Sequence, residues 1–356
     1  MKKKINLLFT GPLPPPAGGI SIHIWRLKNL LEDEFNIDFI DEASQHKKEF
    51  YNIRSFWPLP YLKKMMKADV VFIHSGSRIL KKTHLLFGKL MGKKMIVTMH
   101  GYRKSKLYIR KLDASIYRQA DKIILVNEEL FNKMPLPAEK CVVKHAFLPP
   151  VMKFEPPLPE TVKTWIETAR NNNQVLICAN ASRLDLHNNE DLYGLDMCLE
   201  ACKRMVANGF PVNFVYTVSA LDAGADRFQK SLEFIKAEKL ENHFLLIHER
   251  LSFVRLIENC DIVLRPTNTD GDALTVREAI YLGKKILASD IVARPEGTSL
   301  FKTRNVDDMV MQLETLVRPD SYQLKGNTIA GNQDYRKFYA DLINNLFFES
   351  AVIALA

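Results

Sequence analysis

The segment DIVLRPTNTDGDALTVREAIYLGKKILASDIVARPEG, Asp261 to Gly297, changes character three times. Ile262–Leu264 is a continuous apolar run and reads as a strand that ends at Arg265 and Pro266. A polar loop with Gly271 follows, and from about Thr275 the residues Val276, Ala279 and Ile280 share one helical face. Gly283 stops that helix before a second apolar run, KILAS (285–289). Strand, loop, helix and strand in this order make the βαβ unit of a parallel sheet. The backbone N–H groups of Ala273, Leu274 and Thr275, at the helix N-terminus, form a ready anion site. Two other local readings remain open. TVRE is a capping box with Thr275 as N-cap and Glu278 at N3. The acid triplet Asp270-Gly271-Asp272 is also a short pattern that can hold a divalent cation.

Working outward, similar apolar runs recur with helical segments between them. They are 5–10, 36–40, 69–74, 95–100, 122–127 and 141–147, then 175–180, 212–218, 243–248, 261–264 and 285–289. Continuous β-branched runs of this kind belong to parallel strands covered on both faces. The series occurs twice, so the expected fold is α/β with two Rossmann-like domains. FLPPVMKFEPPLPE (147–160) carries five prolines in fourteen residues and reads as a semi-rigid linker. The expected domains are therefore 1–150 and 151–334, with the carboxyl ends of both sheets around a cleft.

Bulk properties fit this division. A chain of 356 residues exceeds one ordinary core. No apolar run reaches the roughly 18 residues of a membrane span, and MKKKINLLFTGPLP reads as a first strand instead of a signal peptide. Five cysteines without a CxxC pair read as free thiols of a reducing cytoplasm, not as disulfides or a zinc site. Residues 1–150 hold 27 Lys and Arg against 13 Asp and Glu, and the remainder 23 against 28, so a basic half (+14) adjoins a mildly acidic one (−5). An anionic ligand or surface is expected to face the first half.

The spacing around Asp270 resembles the nucleotide-sugar segment of glycosyltransferase family 4, a group with the GT-B fold. An acidic residue, a Gly-containing loop and seven intervening residues lead to a Glu in a helix, then Gly and ASD. Here these are Asp270, Gly271, Glu278, Gly283 and Ala288-Ser289-Asp290. The resemblance implies that Glu278 accepts both ribose hydroxyls, that Asp270 holds sugar hydroxyls, and that the helix start receives the diphosphate. It extends to the opening loop GPLPPPAGGISIH (11–23), where Gly18 and Gly19 would clear space for donor phosphate and sugar, and to IVTMHGYR (96–103), where His100 would face the donor sugar. In ICANASRLDLHNNEDLYG (177–194) Arg183 fits the family's phosphate clamp, but Tyr193 stands where a Lys is usual, which implies either a weaker donor grip or a substitute cation in Arg265, Arg277 or Arg294. The helical end 335–350 resembles the last helix that crosses back to the first domain.

The implied activity is retaining transfer of a sugar from a nucleoside diphosphate donor to a glycan or lipid-linked acceptor, without cofactor or metal, as in surface polysaccharide or glycolipid synthesis. A sugar-nucleotide epimerase and a non-catalytic membrane-surface module are the alternatives. The basic, aromatic-rich stretches 46–67, 78–95 and 102–111 lack any nucleic-acid motif. Their mixture of Lys, Leu, Met, Phe and Trp suits an anionic membrane surface, with Lys63, Lys64, Lys81 and Lys82 among the contacts. The expected location is cytoplasmic, peripheral on the inner face of the membrane.

Overall fold

The structure is a computed structural model, and it describes residues 4–15, 18–55, 57–101, 107–126, 128–144, 147–221, 224–249, 251–271, 273–318 and 330–353. Asp272, the second acid of the triplet, and Pro16 of the opening loop lie outside the described residues. The chain divides into two compact units, Met1–Val151 with Ala330–Ala356, and Met152–Ile329.

The first unit is built on strands β1 (Asn6–Gly11), β2 (Asn36–Asp41), β3 (Val70–Ile73), β4 (Lys94–Met99), β5 (Lys122–Leu125) and β6 (Cys141–Val143). They form one parallel sheet in the order β2-β1-β3-β4-β5-β6. Period-two alternation sends Leu8, Val71 and Ile73 to one core, and Leu7, Phe9, Val70 and Phe72 to the other. Burial on both faces explains why the runs are continuously apolar instead of alternating. The C-terminal helix Ala330–Ile353 packs Tyr339, Ala340, Ile343 and Leu346 into the Phe9 side of this sheet.

The second unit has β7 (Val175–Arg183), a hairpin of β8 (Leu186–His187) and β9 (Glu190–Asp191), then β10 (Val212–Ala220), β11 (Phe244–Ile247), β12 (Ile262–Arg265), β13 (Lys285–Ser289) and β14 (Ser299–Phe301). Its parallel sheet runs β11-β10-β7-β12-β13-β14. Read within the sheet alone this is the 3-2-1-4-5-6 order of a Rossmann domain. Ile177, Ala179 and Ala181 face one core, Leu176 and Cys178 the other. All eleven expected strands are present, while β14 and the β8–β9 hairpin were not expected. The hairpin's two-residue turn is Asn188-Asn189, both with positive φ (53° and 63°), as a tight primed turn requires.

In an open α/β sheet, ligands sit outside the carboxyl ends of strands where the strand order reverses. Those points lie between β1 and β3 in the first unit and between β7 and β12 in the second. The Pro-Gly loop follows β1, and the Asp270 loop follows β12. All five cysteines are free thiols and four are buried.

Candidate functional site

In the second unit the helix after β12 is Leu274–Tyr281, with Ala273 as its N-cap. Thr275 is then the second helical residue and Glu278 the fifth. This overturns the capping-box reading: the N-cap is Ala273 and its N3 residue is Val276, so neither Thr275 nor Glu278 occupies a capping-box position. Thr275 and Glu278 are both buried. The N–H groups of Leu274 and Thr275 have no carbonyl of their own helix to bond, whereas that of Val276 donates to Ala273 O at 3.2 Å.

Asp270 is the centre of a hydrogen-bond network. Its Oδ1 accepts from Arg265 Nη2 (3.0 Å) and from the Gly271 backbone N–H (3.0 Å). Its Oδ2 accepts from Arg265 Nε (3.0 Å), Thr267 Oγ1 (3.1 Å) and Arg294 Nη1 (2.9 Å). A carboxylate has about four acceptor positions, and five donors already converge on this one. In this arrangement Asp270 holds two arginines in place. Burial opposes its charge, but the hydrogen bonds and charges of Arg265 and Arg294 prevail and hold the carboxyl below its ordinary range.

The same network includes Tyr193. Arg265 lies over the Tyr193 ring, its guanidinium carbon 5.3 Å from the centroid, within cation–π range. Tyr193 Oη is 2.7 Å from Ser182 Oγ, so the ring is fixed at both ends. Gly194 makes this fit possible: its φ is +68°, and a Cβ there would stand 2.4 Å from the Pro266 carbonyl oxygen. Arg183, at the end of β7, is largely exposed and pairs with Asp185 at 3.3 Å.

In the first unit, Gly18 is the N-cap of helix Gly19–Leu31, and its N–H donates to Ser21 Oγ (2.8 Å). A Cβ on Gly19 would meet nothing within 4 Å, and one on Gly18 only Ser21 Oγ at 3.8 Å, so both glycines border open space. Buried Asp41, ending β2, fixes the preceding loop by accepting from the Leu13 and Ala43 N–H groups, each at 2.9 Å.

His100, just after β4, does not stand by itself. His23 and His74 share its site, with ring centroids 4.9 Å (His23–His100), 5.3 Å (His23–His74) and 5.9 Å (His74–His100) apart. His74 is fully buried, and neither of its ring nitrogens has a hydrogen-bond partner among the described residues, nor does His100 Nε2. Burial first, then the neighbouring rings and the Lys81 charge, push His74 well below its ordinary value. Burial, His23 and Lys81 do the same to His100. One nitrogen from each ring lies within 4.8 Å of the others. A tetrahedral ion with bonds of about 2.1 Å needs them near ~3.4 Å. An ion would have to draw the rings together beside the Lys81 ammonium. Sequence reading singled out His100 and noted His23, but His74 belongs to another strand end, and only the sheet order unites them.

A pH dependence follows. His74 and His100 carry fewer protons folded than unfolded once the pH drops below the ordinary value of 6.5. Their contribution is complete above pH 6.5 and is lost as the pH falls toward the depressed folded values, at up to about 1.4 kcal/mol per pH unit each. Urea unfolding of the wild type should therefore weaken between about pH 6.5 and 5, and His74→Gln should flatten the slope. Equal slopes in both proteins would contradict this assignment.

A second buried network closes the carboxyl end of β2 and β3. Ser75 Oγ donates to Glu42 Oε2 (2.6 Å), His84 Nε2 lies 3.0 Å from Glu42 Oε1, and Tyr61 Oη lies 3.1 Å from His84 Nδ1. Nothing in the sequence pattern marked these residues. The structure also corrects the lysines chosen for a membrane face. Lys81 is buried and pushed down to about 8 by burial. Lys82 pairs with buried Asp113 at 2.6 Å, and Lys64 with Asp38 at 2.6 Å.

No family model matches the chain. Over 135 residues it is 30% identical to the N,N'-diacetylbacillosaminyl-diphospho-undecaprenol α-1,3-N-acetylgalactosaminyltransferase of Campylobacter jejuni, covering 33% of this chain and 34% of that one. The match spans about a third of that relative's length. Among solved structures, a glycosyltransferase from Rickettsia africae covers 98% of this chain and 97% of its own at TM-score 0.63 and 16% identity. Anabaena HepE in complex with UDP covers 99% and 100% at 0.60 and 14%. Sucrose-phosphate synthase of Thermosynechococcus elongatus covers 99% and 100% at 0.60 and 12%. The chain has the GT-B fold.

Proposed function

We propose that this chain is a retaining glycosyltransferase of family 4 type, which moves a sugar from a nucleoside diphosphate donor to a lipid-linked glycan acceptor. The observation that carries the reading is the switch point of the second unit. There the helix start at Leu274, buried Glu278 one turn in, and Arg183 at the end of β7 gather beside β12. Glu278 takes the ribose hydroxyls, and the helix N–H groups take diphosphate oxygens. The UDP complex of HepE supports a nucleotide-sugar donor, and the diphospho-undecaprenol acceptor in the Campylobacter enzyme's name supports a lipid-linked acceptor.

In the proposed reaction the bond from the anomeric carbon to phosphate oxygen breaks, and a bond to the acceptor oxygen forms on the same face. The acceptor proton passes to the departing phosphate oxygen. Arg183 and the helix start stabilise the charge that develops on the diphosphate. No added magnesium or manganese is needed, because the fixed charges are arginines and a helix dipole. Incubation with UDP-, GDP- and ADP-sugars and a prenyl-diphosphate glycan tests this. Glycosylated lipid with the donor's anomeric configuration supports it, and an unchanged acceptor with every donor contradicts it.

An anionic membrane surface is part of the proposal. No helix among the described residues is long and apolar enough to cross a membrane. Helices Pro58–Lys67 and Arg78–Leu90 instead expose Leu59, Met66, Ile79 and Leu90, with Trp57 ahead of the first. Exposed Lys63, Lys67 and Lys89 stand among them. The purified protein should sediment with vesicles containing phosphatidylglycerol and be released by salt, since such charges are screened within about 10 Å at 0.1 M. Charge reversal at Lys63, Lys67 and Lys89 should weaken binding several-fold. Sedimentation indifferent to lipid charge and salt would refute this.

A further inference from the structure

We infer that Arg265 is a ligand of the distal phosphate of the nucleoside diphosphate, held for that purpose by Asp270 and the Tyr193 ring. The inference rests on the nucleotide-sugar reading above and deepens it. A single chain of contacts runs along the carboxyl ends of three neighbouring strands. It begins at Ser182 in β7, passes through Tyr193 to Arg265 at the end of β12, and continues through Asp270 and Arg294 to Ser289 at the end of β13. Two guanidiniums meet one carboxylate, so the cluster keeps a net positive charge. Arg294 is almost fully buried and spends all three of its nitrogens on Ser289 and Asp270.

Arg265 differs. Its hydrogen bonds come from Nε and Nη2 and go only to Asp270, while its side chain stays 13% exposed. Nη1 has no hydrogen bond among the described residues. A guanidinium gripped as a fork and backed by a ring has little freedom left to lose when it binds an anion. It also stands at the start of the loop that leads to Leu274, so one phosphate can take the helix N–H groups while the next takes Arg265.

The test compares nucleoside diphosphates with monophosphates, using UDP/UMP, GDP/GMP and ADP/AMP titrated into the full chain by calorimetry. For the base that binds, Arg265→Ala should weaken diphosphate binding about tenfold or more while leaving monophosphate binding within about twofold. Arg265→Lys keeps the charge but cannot hold both oxygens of Asp270. It should lower the diphosphate-to-monophosphate ratio by about threefold, and it serves as the probe if the alanine variant does not fold. An unchanged ratio, or an equal loss for both nucleotides, overturns the inference. If the wild type binds none of the three diphosphates, the nucleotide-sugar reading itself fails, which is a separate result.

Discussion

Replacing Asp270 with alanine should cost the second unit about 3–5 kcal/mol of stability, the range for breaking a buried ion pair from one side. The side chain of Arg294 is 2% exposed and that of Asp270 7%, so the abandoned guanidinium has no route to water without moving the loop. Its bonds to Ser289 O and Oγ, at 3.2 and 3.3 Å, satisfy donors but not charge. The double variant Asp270→Ala with Arg294→Met should recover more than half the loss, because it removes the deeply buried orphan, while the remaining Arg265 is 13% exposed and rests on the Tyr193 ring. Urea midpoints at constant m-value measure both effects. A single-variant loss under about 1 kcal/mol would mean that the pair behaves like a surface bridge, and that Asp270 does not organise this site. The pH sign is the same as that of the histidines, but the window lies lower. With the folded carboxyl held below its ordinary value of 3.8, this contribution is complete above that value and is lost as the pH falls through the folded one.

Glu278→Gln should weaken nucleoside diphosphate binding by roughly 10- to 150-fold, the equivalent of the 1.5–3 kcal/mol typical of hydrogen bonds to a charged group. Glutamine keeps the volume of a buried side chain, so the thermal midpoint should shift little. The decisive comparison is with the 2′-deoxynucleotide. Wild type should lose affinity for it and Glu278→Gln should not, because the hydroxyl and the carboxylate form one interaction in a double-mutant cycle. Independent, additive losses would remove the ribose role.

Much of this architecture is legible in the sequence because parallel strands buried on both faces leave continuous apolar runs, and helix starts leave short local signals. The strand at 262–264 and the helix behind it needed only a dozen residues of context. Asp270 shows where such reading stops. Its partner Arg265 is five residues away, but Arg294 comes from beyond β13, and only the pairing of β12 with β13 brings it alongside. The family resemblance assigns Asp270 to sugar hydroxyls, and nothing in its local spacing announces the two guanidiniums that share its oxygens. The histidines make the same point. His23, His74 and His100 come from a helix and from the ends of two adjacent strands, and their grouping follows from sheet order alone. The Asn188-Asn189 hairpin did carry a signal, two adjacent residues tolerant of positive φ, flanked by strands too short to show a period.

The central claim is that the second unit binds a nucleoside diphosphate through the Leu274 helix start, Glu278 and arginines, with no divalent ion. Its most direct test is calorimetric titration of UDP, GDP and ADP into the full chain, with and without magnesium. One of the three should bind at a single site with a Kd in the range of about 1 μM to 1 mM common for enzyme substrates, and magnesium should change it less than about twofold. Binding of none, or binding that appears only with magnesium, would contradict the account.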